Sequence, residues 1–471
     1  MKAMTELRQR IEEQNPLTIG EVVALATEFG ARVEDVVLLE CEIQSGLSRE
    51  EILTQVMAEY EHNIRALEIG LVDGESILLG TVASQLAGIE GPKCFGDKFL
   101  DDALLYTLAA QVGNHCIGLR PCAGTGDSCP YAGFVKAMQE NGYDAKRVAE
   151  IAAVILKIGS LFRVGKVTTG CNMEGFGAGS ACIAAATALL EGGTPEQMEK
   201  AMVLAMSPTI GVPCTPRVLV PALCTTHVGG AILMGMYAGR LCTKVEMTVN
   251  VPFDVMISMA SRVHVESGKH LVPTVVEYME PFFRKKEKVE SLVSEEVKSA
   301  EAQEEVETLA KAKVIAKEMA KGTKGILHTY GDAVVGGSSQ AVGSPTNAAR
   351  IAHRLAKGTI KKVTIELYPE LFKRRSINVP GVLMGAVFGA STSDYEMYNK
   401  AIDMVKEKGI EVEIVEGSEH AIQRITIETD LMTCSVNTLN RGGGRLVMRE
   451  ASPSTEEAIA AAQEIGVQLV D

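Results

Sequence analysis

Three cysteines stand where the chain has loop character: Cys171 in TTGCNMEGFGAG, Cys214 in GVPCTPR and Cys224 in VPALCTTH. Each lies close to Gly or Pro, which favours loop backbone whose free amides can approach sulfur and hydrogen-bond to it. Three thiolates leave one iron of a cubane cluster without a protein ligand, and such an iron can act as a Lewis acid, as catalytic zinc does. Spacing alone leaves two other readings open. Free cysteine is among the most buried residue types, so ordinary core thiols fit equally well. A zinc site ranks third, because the CxxC pairs usual in structural zinc sites are missing.

Groups able to move a proton or seat an anion surround these cysteines in the sequence. His227 follows Cys224 by three residues, and His328 stands just before a second Gly-rich stretch. Lys166 and Glu174 flank Cys171, and Asp127 lies in AGTGDSC. Arg120, directly before that Gly-rich loop, and Arg217, between Cys214 and Cys224, are the cations best placed to hold a substrate carboxylate. Taken singly, each of these is as readily a structural histidine or a solvated loop-end charge. Cys182 falls in the helix after the Cys171 loop, while Cys41, Cys94, Cys116, Cys242 and Cys434 have largely apolar surroundings, so all six read as core thiols. Cys122 and Cys129, in the Gly-rich loop, are candidates to line a site.

The elements that must position these residues change character along the chain. From Thr18 to about Lys285, apolar residues recur at three- and four-residue spacing, in Ile19 to Phe29, Val36 to Glu42, Ile52 to Val72 and Asp102 to Val112. Ser48 with Glu51 forms a capping box, and Thr194-Pro195 opens a helix running to Met206. Phe283 to Lys324 is dense in Glu and Lys and predicts an exposed helix stabilised by charge pairs three or four apart. Beyond it Lys362 to Tyr368 and Val412 to Val415 are β-rich, and they alternate with helical stretches at Thr346 to Lys357, Asp394 to Lys408 and Thr455 to Ile465. The expected fold class is α+β and multidomain: a mostly α-helical domain over 1–285, a charged helical linker over 286–324 and a smaller α/β domain over 325–471.

Composition bounds the partners. The 471 residues exceed one ordinary domain. A formal charge of −14 argues against nucleic acid or an anionic membrane as main partner, since both need excess Lys and Arg. The longest uncharged run, Val218 to Gly239, contains Pro221, Thr225, Thr226, His227 and several glycines, and reads as a buried helix after a loop rather than a membrane span. Met1 to Leu17 lacks the apolar core of a secretory signal, so a cytoplasmic location is expected. Eleven cysteines are too sparse and uneven for a disulfide framework.

A resemblance narrows the chemistry. GCNMEGFGAGSACIAAATALLEGGTPEQ followed by IGVPCTPRVLVPALC resembles the α part of the iron-sulfur-dependent L-serine dehydratase (L-serine ammonia-lyase) and L-cysteine desulfidase family, with the cysteines in the same order and separation. VVLLECEIQSGLSREEI and RPCAGTGDSCPYAGFVKA resemble that family's N-terminal helix and Gly-rich loop, so the likeness covers roughly residues 18 to 285. YGDAVVGGSSQAVGSPTNAARIAHRL and KKVTIELYPEL resemble the β part, which here follows the α part as in a permuted fusion. The resemblance implies that Cys171, Cys214 and Cys224 hold a [4Fe-4S] cluster and that Ser338 and Ser339 hold the substrate carboxylate. The family's histidine position is Gln340. An amide has no usable basic pKa, so Gln340 can bind substrate but cannot abstract an α-proton, and the base passes to another group, with His227 and His328 first in line.

The implied activity is β-elimination from a small β-hydroxy or β-thiol amino acid, L-serine by default, giving a 2-oxo acid and ammonia. L-cysteine desulfidation and dehydration of threonine or another small hydroxy acid stay open. So does a non-catalytic iron-sulfur sensor, given Gln340. A pyridoxal-phosphate lyase with GGSSQAVGS as its phosphate loop needs a Schiff-base lysine in a recognisable setting, and none is present. The expected partners are a small amino-acid or hydroxy-acid substrate, without nucleic acid or membrane; a homodimer is compatible with all of this.

Overall fold

The computed structural model describes residues 2–120, 128–165, 177–211, 223–283, 285–322, 343–392 and 394–470. The chain divides into two compact units, Met1–Val314 and Ile315–Asp471. The first is helical. Its helices are α1 (Lys2–Gln14), α2 (Ile19–Phe29), α3 (Val33–Ser45), α4 (Arg49–Val72), α5 (Val82–Ala87), α6 (Lys98–Ile117), α7 (Ser128–Glu140), α8 (Ala145–Gly165), α9 (Gly179–Leu190), α10 (Pro195–Met206), α11 (Leu223–Lys244), α12 (Phe253–His270), α13 (Val272–Met279) and α14 (Glu287–Glu290), with α15 (Glu295–Lys321) carrying the division between units.

Start signals in the sequence act as expected. Ser48 and Glu51 close a capping box and Thr194-Pro195 opens α10; beyond what was read from the sequence, Gln197 completes a box with Thr194, and Thr18 closes another with Glu21. α15 has no buried residue, and Lys298 with Glu295 and Lys321 with Glu318 pair along it at three-residue spacing. The uncharged run after Arg217 continues as α11, with Ile232, Met236 and Cys242 buried. No helix among the described residues is long and apolar enough to cross a membrane.

Small residues let the helices approach backbone to backbone. A Cβ added at Gly70 in α4 would lie 2.1 Å from the Ala109 carbonyl oxygen of α6, and one at Gly113 in α6 would lie 1.9 Å from the Ala66 oxygen of α4. The two helices therefore cross at a reciprocal pair of glycines with no room for a methyl group. Nearby, the buried Asp101 carboxylate accepts the backbone N–H groups of Lys93, Cys94, Phe95 and Gly96 at 2.9–3.1 Å. Burial works to raise its pKa, but these four donors outweigh that and hold it below the usual carboxylate range.

The second unit is a two-layer α/β sandwich. α16 (Gly343–Leu355) leads to β1 (Ile360–Leu367), α17 (Pro369–Lys373), α18 (Arg375–Phe388), α19 (Tyr395–Glu407), β2 (Glu411–Glu416), β3 (Ile422–Thr429), β4 (Thr433–Asn440), β5 (Leu446–Ser452) and α20 (Thr455–Glu464). The sheet order is β2-β1-β3-β4-β5, with β1 and β2 parallel and the other pairs antiparallel. Val363, Ile365 and Leu367 of β1, Ile425 and Ile427 of β3, and Cys434 and Val436 of β4 alternate onto one face, and share a core with α16, α18 and α20. β2 is an edge strand with four exposed residues in succession, and Lys362 reaches from β1 to Glu411 and Glu413 on it.

The glycine crossing gives a direct test. Gly113→Ala is expected to lose about 1–3 kcal/mol in urea unfolding. Gly88→Ala is expected to stay within about 0.5 kcal/mol, because a Cβ there meets nothing closer than 3.5 Å. Equal stabilities for the two variants would refute this account of the crossing.

Candidate functional site

Three helices of the first unit begin directly after segments 121–127, 166–176 and 212–222, which lie outside the described residues and carry much of the chemistry read from the sequence. Their packing is set by small residues. A Cβ at Gly179, the first residue of α9, would lie 3.0 Å from Pro130 Cγ in the first turn of α7 and 3.1 Å from Ala231 Cβ in α11. Further along, a Cβ at Gly235 would meet Ile183 Cβ at 2.6 Å, and one at Gly239 would meet Thr187 Cβ at 2.7 Å. The pairs 179 with 231, 183 with 235 and 187 with 239 keep a constant offset, so α9 and α11 run parallel with their N-termini at the same end. α11 projects beyond Gly179 by about two turns, or roughly 12 Å at 1.5 Å per residue.

That projection carries Cys224 and His227, each 6% exposed. At a spacing of three they share one face of the helix. Ser180 Oγ lies 3.0 Å from both the Gly177 and Ala205 carbonyl oxygens, which ties the start of α9 to the end of α10. Free N–H groups and the positive ends of the helix dipoles favour thiolates and other anions at such an end.

Cys129 and its neighbours extend the site along α6. The fully buried Cys129 thiol donates to Gln111 Oε1 at 2.9 Å, and the same amide lies 3.3 Å from the His115 ring. The other ring nitrogen of His115 pairs with Ser76 Oγ, which accepts the N–H groups of Leu78 and Leu79. Burial lowers the His115 pKa. Sequence reasoning missed this chain of polar groups; the signal present was a Gln and a His four residues apart in an otherwise apolar helix.

Arg120 is held by its backbone. Asn63, fully buried in α4, accepts from the Arg120 N–H at 2.9 Å and donates to the Arg120 carbonyl at 3.1 Å. Ser128 Oγ donates to the same carbonyl at 3.2 Å, so both ends of segment 121–127 meet at one peptide group. The Arg120 side chain is half exposed and lies 3.9 Å from Glu59. Asn63 is a second residue the sequence did not single out.

In the second unit, α16 follows the segment with Ser338, Ser339 and Gln340. Its first turn is fastened to the sheet: Gln423 Nε2 donates to Ser344 Oγ at 2.7 Å and to Thr438 Oγ1 at 3.2 Å, and Asn347 Nδ2 donates to the Gly444 carbonyl at 2.9 Å. Gly442, Gly443 and Gly444 all have positive φ, which side chains rarely tolerate.

Of the residues proposed from sequence, Cys224, His227 and Arg120 are placed; Cys171, Cys214, Arg217, His328, Ser338, Ser339 and Gln340 lie outside the described residues, as do Cys122, Asp127, Lys166 and Glu174. The described residues contain no group of three or more His, Cys, Asp or Glu arranged to hold a metal ion. Two of the three candidate ligands fall outside that set. Cys182, Cys242 and Cys434 are buried as expected, and Cys182 bonds to the Tyr131 hydroxyl at 3.1 Å. Cys41 is only half-buried, and Cys94 and Cys116 are exposed, contrary to the core-thiol expectation. Cys94 sits in the backbone loop wrapped around Asp101, and Cys116 in the last turn of α6, so apolar sequence neighbours did not bury them. No family model and no curated protein matches this chain.

The Asn63 clasp predicts a local effect. Asn63→Leu is expected to cost about 1–3 kcal/mol and to speed hydrogen exchange at the Arg120 amide by about tenfold or more. Unchanged protection of that amide would show that the clasp does not hold the loop.

Proposed function

We propose that this chain is a [4Fe-4S]-dependent β-eliminating lyase acting on a small β-hydroxy or β-thiol amino acid, with L-serine as the first substrate to test and L-cysteine the second. The observation that carries the reading is the common N-terminal end of α7, α9 and α11, with Cys224 and His227 buried on one face there. The donor chemistry fits: one thiol of the proposed set sits in the first turn of a helix, where the dipole and free N–H groups favour thiolate. Cys171 and Cys214 would complete the set. A cubane held by three thiolates supplies Lewis-acid activation of a hydroxide or thiolate leaving group.

The protein's own side chains would do the rest. His227, three residues from a cluster ligand, is the first candidate to take the α-proton, and His328 the second. Ser338, Ser339 and Gln340 would bind the substrate carboxylate and orient it, with Arg217 or Arg120 adding positive charge. Gln340 would position substrate without titrating. The enamine left by elimination then hydrolyses to the 2-oxo acid and ammonia. Such oxygen-sensitive chemistry suits a reducing cytoplasm. The substitution of glutamine for the family's histidine favours one second reading, a non-catalytic cluster protein that senses oxygen or iron.

Anaerobic preparation is expected to give a brown protein with about four irons and four sulfides per chain. Cys214→Ser and Cys224→Ser should each lose cluster and turnover together, whereas Cys182→Ser keeps both. Iron and sulfide near zero after reconstitution would refute the cluster. A full cluster with no 2-oxo acid from any β-hydroxy or β-thiol amino acid would select the sensor reading.

The pH profile separates positioning from proton transfer. Gln340→Ala should raise KM and leave the pKa values of kcat/KM in place, because an amide does not titrate. Removing the base should lower kcat by about 100-fold or more and abolish one limb of the profile, with His227→Ala made first and His328→Ala second. If both histidine variants retain kcat and both limbs, the base lies elsewhere.

A further inference from the structure

On the α3 and α4 side of α8, these three helices and the segment Pro16–Thr18 line a half-open cavity of about 710 Å³. Leu38, Ile52 and Ala153 form a small buried apolar cluster there, separate from the main core of the unit, and Leu17, Val56 and Leu161 add further apolar wall. Into this wall two opposite charges are set. The Glu40 side chain is 3% exposed and that of Lys157 is 13% exposed. Lys157 Nζ donates to Glu40 Oε1 at 2.8 Å and lies 2.7 Å from Oε2. Oε1 also accepts the Leu17 N–H at 2.8 Å and Gln44 Nε2 at 3.2 Å.

A buried ion pair is costly to desolvate and is often no more stable than apolar residues of the same volume. Lys157 has three N–H donors, and Glu40 Oε2 meets only the lysine among the described residues, so the pair retains hydrogen-bonding capacity of both signs. An apolar chamber whose polar end offers one cation and one anion is complementary to a molecule with an apolar body and a zwitterionic head.

We propose that this cavity is a binding site for an α-amino acid with a large apolar side chain, its carboxylate on Lys157, its ammonium on Glu40 and its side chain against Leu38, Ile52 and Ala153. The site is separate from the cluster-binding reading and does not depend on it. A cavity of a few hundred Å³ with a few convergent polar groups is the ordinary form of a small-molecule site.

Cys41 provides a local reporter, since it lines the cavity and is half-buried, whereas Cys94 and Cys116 are exposed elsewhere. The full chain is alkylated with iodoacetamide and each cysteine followed by peptide mass spectrometry. L-leucine or L-phenylalanine is expected to slow alkylation of Cys41 at least fivefold while Cys94 and Cys116 react unchanged. 4-Methylpentanoate, lacking the ammonium, and 3-methylbutylamine, lacking the carboxylate, should protect at least tenfold less well at equal concentration. Ala153→Phe, which fills the chamber, should abolish ligand protection. Ser160→Phe, at an exposed position on the lining, is the second variant if Ala153→Phe does not fold, and it should weaken protection likewise. No protection by either amino acid at millimolar concentration overturns the proposal. Equal protection by the two truncated compounds overturns the zwitterion assignment, as does protection that survives both variants.

Discussion

α9 and α11 lie parallel and in contact along their backbones, and most of what the first unit positions depends on that contact. Side chains larger than hydrogen at Gly235 and Gly239 would collide with Ile183 and Thr187, and one at Gly179 would crowd Ala231, so the close approach of the two helices depends on glycine at these positions. Parallel helices set their dipoles side by side, which is unfavourable and leaves a concentrated positive end. An anion at that end offsets the cost. The same contact fixes how far α11 overhangs, and so where Cys224 and His227 stand relative to the starts of α7 and α9.

Much of this was legible in the sequence, and the reason is local. The Ser48 capping box and the Thr194-Pro195 start specify helix ends within one turn, so α4 and α10 follow from short-range rules. β1 and β2 were legible because β-branched residues cluster in them. β3, β4 and β5 were not assigned from sequence: the inward positions of β3 and β4 include Gln423 and Thr438, polar residues that break the apolar alternation and whose hydrogen bonds run to each other and to Ser344. α18 was hidden by Pro380, which sits inside it. Its neighbour Asn378 donates to the Leu371 and Arg374 carbonyls, which ties the start of α18 to the preceding short helix.

The site was legible only in part, for a related reason. Cysteines near Gly and Pro can be picked out one residue at a time, but Asn63 and Gln111 act through partners 57 and 18 positions away, which no window of sequence reveals. Buried amides of this kind matter because an unmet donor or acceptor costs about as much as a strong hydrogen bond contributes. The exposed thiols Cys94 and Cys116 show the converse, since apolar neighbours in sequence need not become neighbours in space.

A protein of net charge −14 that handles an anionic substrate must make its positive potential locally. On the proposed reading it does so chiefly with peptide dipoles. Arg120, the described cation at the edge of segment 121–127, already lies beside Glu59. Dipoles fixed by helix packing do not reorganise when an anion arrives, whereas a lysine or arginine would first have to leave a carboxylate partner. On that reading an acidic surface and an anion-seeking interior are compatible, because much of the positive potential comes from backbone dipoles held in place by helix packing.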